Sequence, residues 1–234
     1  MQTNLYQITP DDQPALAEIG ALLRAGGLIG IPTETVYGLA ANALDGQAVA
    51  KIFQAKGRPQ DNPLIVHIAA FSQLYPLVGE VPTQAIRLAR AYWPGPLTMI
   101  LPKSPAIPEE VSAGLDTVAV RMPSHPLARA IIQAAGVPLA APSANLSGSP
   151  SPTTAQHVLA DMAGRIQAVV DGGPCSVGVE STVVTLASPC PRLLRPGGIY
   201  AGAAARRTRQ GGNRPRRRGA VSGRGKGRLS RHEI

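Results

Sequence analysis

Two short apolar runs, at residues 28–31 and 64–68, bracket a segment rich in Gly, Pro and polar residues. Each run is aliphatic and bounded by Gly or Pro, which predicts a buried β-strand. Between them, Asp45 precedes residues 47–55, whose apolar side chains recur at helical spacing and predict a capped helix. The stretch therefore predicts two core strands joined through a polar loop and a helix.

Polar side chains collect on the loops and element ends of this stretch. They are Thr33, Glu34, Thr35, Tyr37, Lys56, Arg58, Asn62 and His67. In open α/β sheets such strand ends are where ligands bind. Lys56 and Arg58 flank Gly57, which suits a phosphate site because Gly admits the backbone and Arg offers a planar fork. A solvated helix end is the alternative, since cations are favoured there in any case.

Two further segments carry candidate site residues. Residues 117–122 predict a strand that contains Arg121, and a buried Arg needs a partner. Either a structural salt bridge or a ligand carboxylate would supply it. Residues 142–145 form a Pro-Ser-Ala-Asn loop that is typical of a ribose or phosphate contact, or of an ordinary turn.

The remaining patterns predict a mixed α/β fold. Helices are predicted at residues 14–25, 71–77, 81–92, 126–135 and 151–162, and strands at 97–101, 138–141, 168–170, 182–186 and 192–195, with an edge strand or irregular start at 1–9. Because the elements alternate too irregularly for a simple nucleotide fold, we expect a twisted, mixed open sheet flanked by helices. Few aromatic residues are present, so aliphatic side chains must dominate the core.

A series of motifs resembles the YrdC family of threonylcarbamoyl-AMP synthases over roughly residues 8–199. After the 26–68 stretch these motifs are WPGPLT at 93–98, AGLDTVAVRMP at 113–123, APSAN at 141–145, DGG at 171–173, GVESTV at 178–183 and LRPG at 194–197. The resemblance implies a single YrdC-like catalytic domain. It also implies a reaction that joins L-threonine, bicarbonate and ATP into threonylcarbamoyl-adenylate and pyrophosphate, making the chain a nucleotidyltransferase.

The resemblance also implies roles for individual residues. Positions that match the family's ATP contacts are Lys56, Arg58, Asn62, Thr117, Ser143, Asn145, Ser151 and Arg195, of which Lys56 and Arg58 are the expected catalytic cations. Positions that match its threonine contacts are Thr35, His67, Arg121, the backbone of Ala141, and Ser181. Glu34 and Glu180 are further candidates to orient the amine. Taken alone, His67 would be an ordinary strand histidine, and the motif context is what makes it a ligand contact.

Cofactors and partners follow from the same resemblance. Mg²⁺ is expected to accompany ATP, although the sequence shows no obvious carboxylate cage and no HExxH or paired-Cys zinc spacing. The unstable adenylate would pass to a tRNA threonylcarbamoyl transferase, for modification of the adenosine next to the anticodon. A carbamoyl-adenylating role, as in hydrogenase maturation, is an alternative.

The basic charge of the chain is confined to its C-terminal segment. The formal net charge is +9, but residues 200–234 hold 11 of the 23 Lys and Arg residues and one of the 14 acidic ones, a net of +10. Residues 1–199 are then left with −1. We therefore expect a catalytic domain over 1–199 and a disordered Arg/Gly-rich tail over 200–234. Such a tail is typical of nucleic-acid binding or of a shifted reading frame, and it keeps a double-stranded RNA or tRNA-binding module as the alternative function.

The sequence predicts a cytoplasmic protein without membrane contact. Cys175 and Cys190 lie outside any CxxC pair, so two buried or idle thiols are expected rather than a disulfide. Neither a secretory leader nor an apolar run of about 18 residues is apparent.

Overall fold

The computed structural model describes residues 1–188 and 190–199, so the predicted tail at 200–234 lies outside the described residues. The described helices are α1 (Gln13–Arg24), α2 (Gly46–Lys56), α3 (Thr83–Tyr92), α4 (Glu109–Ser112), α5 (Pro126–Ala135) and α6 (Ala155–Met162), with a 3-10 helix at Phe71–Leu77. The described strands are β1 (Asn4–Gln7), β2 (Ile29–Ile31), β3 (Gly38–Asn42), β4 (Ile65–His67), β5 (Leu97–Pro102), β6 (Thr117–Arg121), β7 (Leu139–Ala140), β8 (Ala168–Asp171), β9 (Thr182–Thr185) and β10 (Arg192–Arg195).

These strands form one mixed sheet in the order β1-β8-β2-β3-β7-β4-β6-β5-β9-β10. The sheet contains both parallel pairs, such as β4 with β6, and antiparallel pairs, such as β5 with β6. β1 is an edge strand, as predicted, and β10 forms the opposite edge. The α/β class and the mixed sheet are therefore confirmed.

The core is divided by the sheet into two layers. One layer contains Leu16 and Ile19 of α1 with Ile131 of α5, and the other contains Ile52 of α2 with Val158 of α6. Neighbouring residues of β8 enter opposite layers, as the alternation of side chains along a strand requires. Aliphatic residues dominate both layers, which confirms the expected kind of packing.

Local sequence signals set the ends of the helices around the site. Asp45 Oδ1 accepts hydrogen bonds from Gln47 N and Ala48 N at the start of α2, which confirms the predicted cap. α2 ends at Gly57, which adopts a left-handed conformation with φ 61°. Glycine tolerates this conformation without strain, so the chain turns sharply between Lys56 and Arg58.

Four elements differ from the predictions, and one of them, the four-residue helix α4, is not predicted at all. β3 is missed by the sequence analysis, because its residues Gly38–Asn42 are small or buried on both faces and show no alternation. The helix predicted from residue 151 begins at Ala155, where Thr154 Oγ1 accepts from His157 N. The segment Phe71–Leu77 is a 3-10 helix and not an α-helix, and it contains Pro76, which interrupts α-helical hydrogen bonding.

Both cysteines are free, as the sequence predicts. Cys175 is half-buried, and burial raises the pKa of its thiol to about 11. Cys190 is exposed, so of the two expected states, buried or idle, only the idle one can apply to it.

Candidate active site

A cleft of about 200 Å³ lies between the loop that follows β2 and the segments after α2, β7 and β8. Eight of the predicted site residues line it, namely Thr35, Arg58, His67, Arg121, Ala141, Ser143, Ser181 and Arg195. Pockets for drug-sized ligands usually measure about 300–1,000 Å³. The enclosed part of this cleft is therefore suited to a smaller molecule.

Strand pairing places three polar residues in one row of the sheet. His67 of β4 is the register partner of Arg121 of β6, and Arg121 is the register partner of Thr98 of β5. Directly paired residues project to the same face of a sheet. All three residues are buried, and two of them, His67 and Arg121, line the cleft, so this row places polar groups beside the site within an apolar sheet.

The guanidinium group of Arg121 is held at each of its three nitrogens. Nε donates to the carbonyl oxygen of Gly95 at 3.3 Å, and Nη1 donates to Thr35 Oγ1 at 2.9 Å. Nη2 lies 2.7 Å from Oε1 of Glu34, and both side chains of this ion pair are buried. Since Arg121 also lines the cleft, it combines the two roles that the sequence left as alternatives: a structural ion pair and a cation available to a ligand.

The hydroxyl of Thr35 has a fixed direction. Thr33 Oγ1 donates to the carbonyl oxygen of Val36 at 2.6 Å, which uses its only proton. Thr35 Oγ1, 3.0 Å from Thr33 Oγ1, must then be the donor in that contact, while it accepts from Arg121. Thr35 Oγ1 has no second proton to donate, so it can only accept a further hydrogen bond from a group in the cleft.

His67 is neutral at physiological pH. Burial, reinforced by the nearby charge of Arg121, lowers the pKa of His67 to about 3. Nδ1 lies 3.2 Å from the carbonyl oxygen of Ile65, a partner that can only accept a hydrogen bond. Nδ1 therefore carries the proton of the neutral ring.

On the opposite wall, Ser181 is fixed by two neighbours. Arg195 donates to the carbonyl oxygen of Ser181 from Nε at 3.1 Å and from Nη2 at 2.9 Å. Ser181 Oγ lies 2.7 Å from Thr98 Oγ1. Gly197 leaves no room for a side chain here, because an added Cβ would lie 2.3 Å from the carbonyl oxygen of Glu180.

Glu180 also lines the cleft, although the family resemblance implied for it only a further candidate role in orienting the amine. Its Oε1 accepts a hydrogen bond of 2.6 Å from Ser151 Oγ. That hydrogen bond, with a smaller contribution from Arg195, lowers the pKa of Glu180. Glu180 is therefore a stable anion facing the cations of the cleft.

Lys56 does not line the cleft, although Arg58 does. Its side chain is 3% exposed, which rules out a solvated helix end for this residue. Nζ donates to the carbonyl oxygens of Ser143 and Asn145 and lies 3.4 Å from Asn145 Oδ1. Burial, followed by the charge of Arg58, lowers the pKa of Lys56 to about 8.

Four other predicted residues lie outside the lining of the cleft. Asn145 is buried beside Lys56, and Ser151 reaches the site through Glu180. Asn62 is exposed and donates to Asp61 Oδ1. Thr117 shares a strand face with Arg121 but lies about 13 Å from it along β6. Sequence reasoning missed Thr98 as a site residue and named Thr33 only among the polar loop residues. The fold brings Thr33 into contact with Thr35, and Thr98 into contact with Ser181.

Within the described ranges, no group of three or more His, Cys, Asp or Glu side chains is arranged to hold a metal ion. In the same residues, no helix is both long enough and apolar enough to cross a membrane.

A family model matches residues 21–197 of the chain; it is named Sua5_yciO_yrdC and described as telomere recombination. The chain belongs to the Sua5/YciO/YrdC family. Threonylcarbamoyl-AMP synthase of Bacillus subtilis is 59% identical over 189 residues, covering 80% of this chain and 55% of that protein. The enzyme of the same name from Pyrococcus abyssi is 58% identical over 177 residues, covering 76% and 52%.

A solved structure of a Sua5/YciO/YrdC member shows the same fold. P. abyssi Sua5 complexed with L-threonine superposes with a TM-score of 0.82 at 51% identity, covering 85% of this chain and 58% of that one. The chain thus spans about half the length of these relatives.

Proposed function

We propose that this protein is an L-threonylcarbamoyladenylate synthase. It would convert L-threonine, bicarbonate and ATP into threonylcarbamoyl-AMP, pyrophosphate and water, and would thus be a nucleotidyltransferase. The observation that carries the proposal is the placement of Thr35, His67, Arg121 and Ser181 around one small cleft with Arg58 and Arg195. The threonine complex of the related P. abyssi Sua5 supports the choice of amino acid.

The polarity of the cleft matches a zwitterionic amino acid with a side-chain hydroxyl. The guanidinium of Arg121 has five N–H groups, and its three protein contacts leave two of them for a ligand. A planar guanidinium matches the two oxygens of a carboxylate. Thr35, an acceptor toward the cleft, suits the amino group. Because Nδ1 of neutral His67 carries the proton, Nε2 is an acceptor that suits the threonine hydroxyl.

The nucleotide would lie at the open side of the cleft, beside Arg58, Ser143 and Arg195. The threonine amine captures CO2 or bicarbonate, and the resulting N-carboxylate attacks the α-phosphorus as the bond to pyrophosphate breaks. The step needs no protein nucleophile, so positioning and charge stabilisation carry the catalysis. Arg58 and Arg195 would neutralise the charge of the phosphates.

Mg²⁺ bound to ATP would supply further neutralisation of phosphate charge. The donor set fits an ion brought by the nucleotide, since Mg²⁺ commonly uses one or two carboxylates together with phosphate oxygens and water. Among the described residues, Glu180 is the carboxylate that lines the cleft. We therefore infer that Glu180 faces the metal–nucleotide complex.

A tRNA threonylcarbamoyl transferase would take up the adenylate, which agrees with the cytoplasmic location that the sequence predicts. The RNA-binding and hydrogenase-maturation alternatives require no threonine-dependent pyrophosphate release. RNA contact through residues 200–234 remains compatible with synthase activity, because the basic residues of that segment are different residues from those that line the cleft.

The test is pyrophosphate release from ATP with and without L-threonine and bicarbonate, together with mass-spectrometric detection of threonylcarbamoyl-AMP. We expect release that requires both co-substrates. Arg58→Ala should reduce it by on the order of 10²–10³. Arg192→Ala is the matched control, because Arg192 is an exposed arginine of β10 that does not line the cleft. Absence of threonine-dependent release in the wild type would refute the proposal.

A further inference from the structure

Glu34 is a buried carboxylate that the proposed reaction does not use. It is 5% exposed and does not line the cleft. Among the described residues, neither of its carboxylate oxygens has a hydrogen-bond partner. Burying an ionised carboxylate is costly unless another group compensates for it. The side chain 2.7 Å away, Arg121, is the compensating charge.

Hydrogen bonds from the segment between β8 and β9 fix the backbone at Glu34 and Thr35. The carbonyl oxygen of Glu34 accepts from Val177 N at 2.8 Å, and that of Thr35 accepts from Gly178 N at 3.1 Å. These bonds join the loop after β2 to the segment between β8 and β9. The carboxylate is thus presented to Arg121 by a backbone that the segment between β8 and β9 holds in place.

The Glu34–Arg121 contact acts through charge rather than through an aligned hydrogen bond. The distance is that of an ion pair, yet Nη2 of Arg121 has no partner that meets hydrogen-bond geometry. The two hydrogen bonds that do meet it are donated by Arg121 to neutral acceptors, the carbonyl oxygen of Gly95 and Oγ1 of Thr35. Glu34 is therefore the one negative charge directly paired with Arg121 among the described residues.

We propose that Glu34 is a positioning residue for the amino-acid site, whose charge holds the Arg121 guanidinium with its free N–H groups toward the cleft. This inference rests on the proposed function, because it assigns Arg121 to the substrate carboxylate. Without the charge of Glu34, Arg121 is a buried cation, and among the described residues the carboxylate that lines the cleft is Glu180. Turning toward Glu180 would move the fork away from the carboxylate position.

Two substitutions separate charge from shape. Glu34→Gln keeps the shape and removes the charge, whereas Glu34→Asp keeps the charge on a shorter side chain. A charge-positioning role predicts that Glu34→Gln weakens threonine binding by on the order of 10- to 100-fold, the value of losing a hydrogen bond to a charged group. The variant Glu34→Asp should lose less threonine affinity than Glu34→Gln. The affinity for ATP should change by less than about twofold in both variants. A packing role predicts the reverse order.

The experiment is calorimetric titration of the full chain with L-threonine and, separately, with ATP. Glu18→Gln is the matched control, since Glu18 is an exposed carboxylate that accepts from Tyr6 on the surface of α1. The double variant Glu34→Gln/Arg121→Ala should bind threonine no more weakly than Arg121→Ala alone, because Glu34 acts through Arg121. Thermal melting verifies folding, and the Asp variant supplies the comparison if the Gln variant does not fold.

Three results would overturn the inference: unchanged threonine affinity in Glu34→Gln, tighter threonine binding in it, or full additivity in the double variant. Threonine binding by the wild type distinguishes this failure from failure of the proposed function. If the wild type binds no threonine, both fail. If it binds threonine and Glu34→Gln binds it equally well, only the role of Glu34 is refuted.

Discussion

Lys56 Nζ lies 2.6 Å from the carbonyl oxygen of Asn145, and this contact joins two motifs that are 89 residues apart. Lys56 ends α2, while Asn145 belongs to the loop after β7. Nζ also donates to the carbonyl oxygen of Ser143, whose residue lines the cleft. Lys56 therefore holds the Ser143–Asn145 loop in place without lining the cleft itself. Of the two cations Lys56 and Arg58, Arg58 is the one that lines the cleft.

This arrangement predicts different outcomes for the two cations. Lys56→Met leaves buried carbonyl oxygens without a donor and should cost at least about 2 kcal/mol of unfolding free energy. The melting temperature should fall by about 4–8 °C, with turnover lost as well. Arg58→Ala should lose turnover with little change in melting temperature. Scanning calorimetry and pyrophosphate release check both, and equal melting temperatures for the two variants would argue against the structural role of Lys56.

The low pKa of His67 predicts an acid-dependent loss of stability. Unfolded His binds a proton below about pH 6.5, whereas buried His67 does so only near pH 3. The unfolded state thus binds more protons between these values, and stability falls as the pH falls. From pH 7 to pH 4.5, the wild type should lose about 2–3 kcal/mol more than His67→Gln.

Urea unfolding at the two pH values measures this difference. Both proteins share every other titrating group, including His125, so the comparison isolates His67. An equal loss in the two proteins would mean that His67 is protonated in the folded state at pH 4.5.

Recognition of the substrate hydroxyl is the third prediction. If Nε2 of His67 accepts from the threonine hydroxyl, 2-aminobutyrate would leave that acceptor buried and unpaired. We expect kcat/KM with 2-aminobutyrate to be lower by on the order of 10²-fold or more. Comparable values for the two amino acids would remove His67 from hydroxyl recognition.

Sequence patterns predicted most elements because capping and apolar periodicity are local. Asp45 and Gly57 delimit α2 from within a few residues of it. The motifs also led to residues that the fold brings together, such as Arg121, which lines the cleft; its contact with threonine stays a prediction. The partners of these residues could not be predicted from neighbouring positions in the sequence. The Glu34–Arg121 ion pair joins positions 87 residues apart, and Lys56 is buried because the loop after β7 packs against it. β3 was missed because a strand buried on both faces lacks the alternation that reveals one.

The C-terminal segment gives a fourth prediction, based on charge alone. Residues 200–234 carry a net charge of +10 against −1 for residues 1–199. Deleting residues 203–234 should therefore remove most RNA affinity and most of its salt dependence, because fewer counterions are released. Filter binding to a tRNA at two salt concentrations measures this. Equal affinity and salt slope after the deletion would place RNA binding on residues 1–202 instead.

Pyrophosphate release should survive the same deletion. Its loss would mean that residues 203–234 take part in the reaction.

A crystal structure with L-threonine bound is the most direct test of the central claim, that this cleft holds threonine by its carboxylate on Arg121. We expect the carboxylate oxygens within about 2.7–3.1 Å of Arg121 Nη1 and Nη2, with the Glu34–Arg121 ion pair intact and the threonine hydroxyl facing His67. Threonine bound with its carboxylate on Arg58 or Arg195, or outside the cleft, would contradict it.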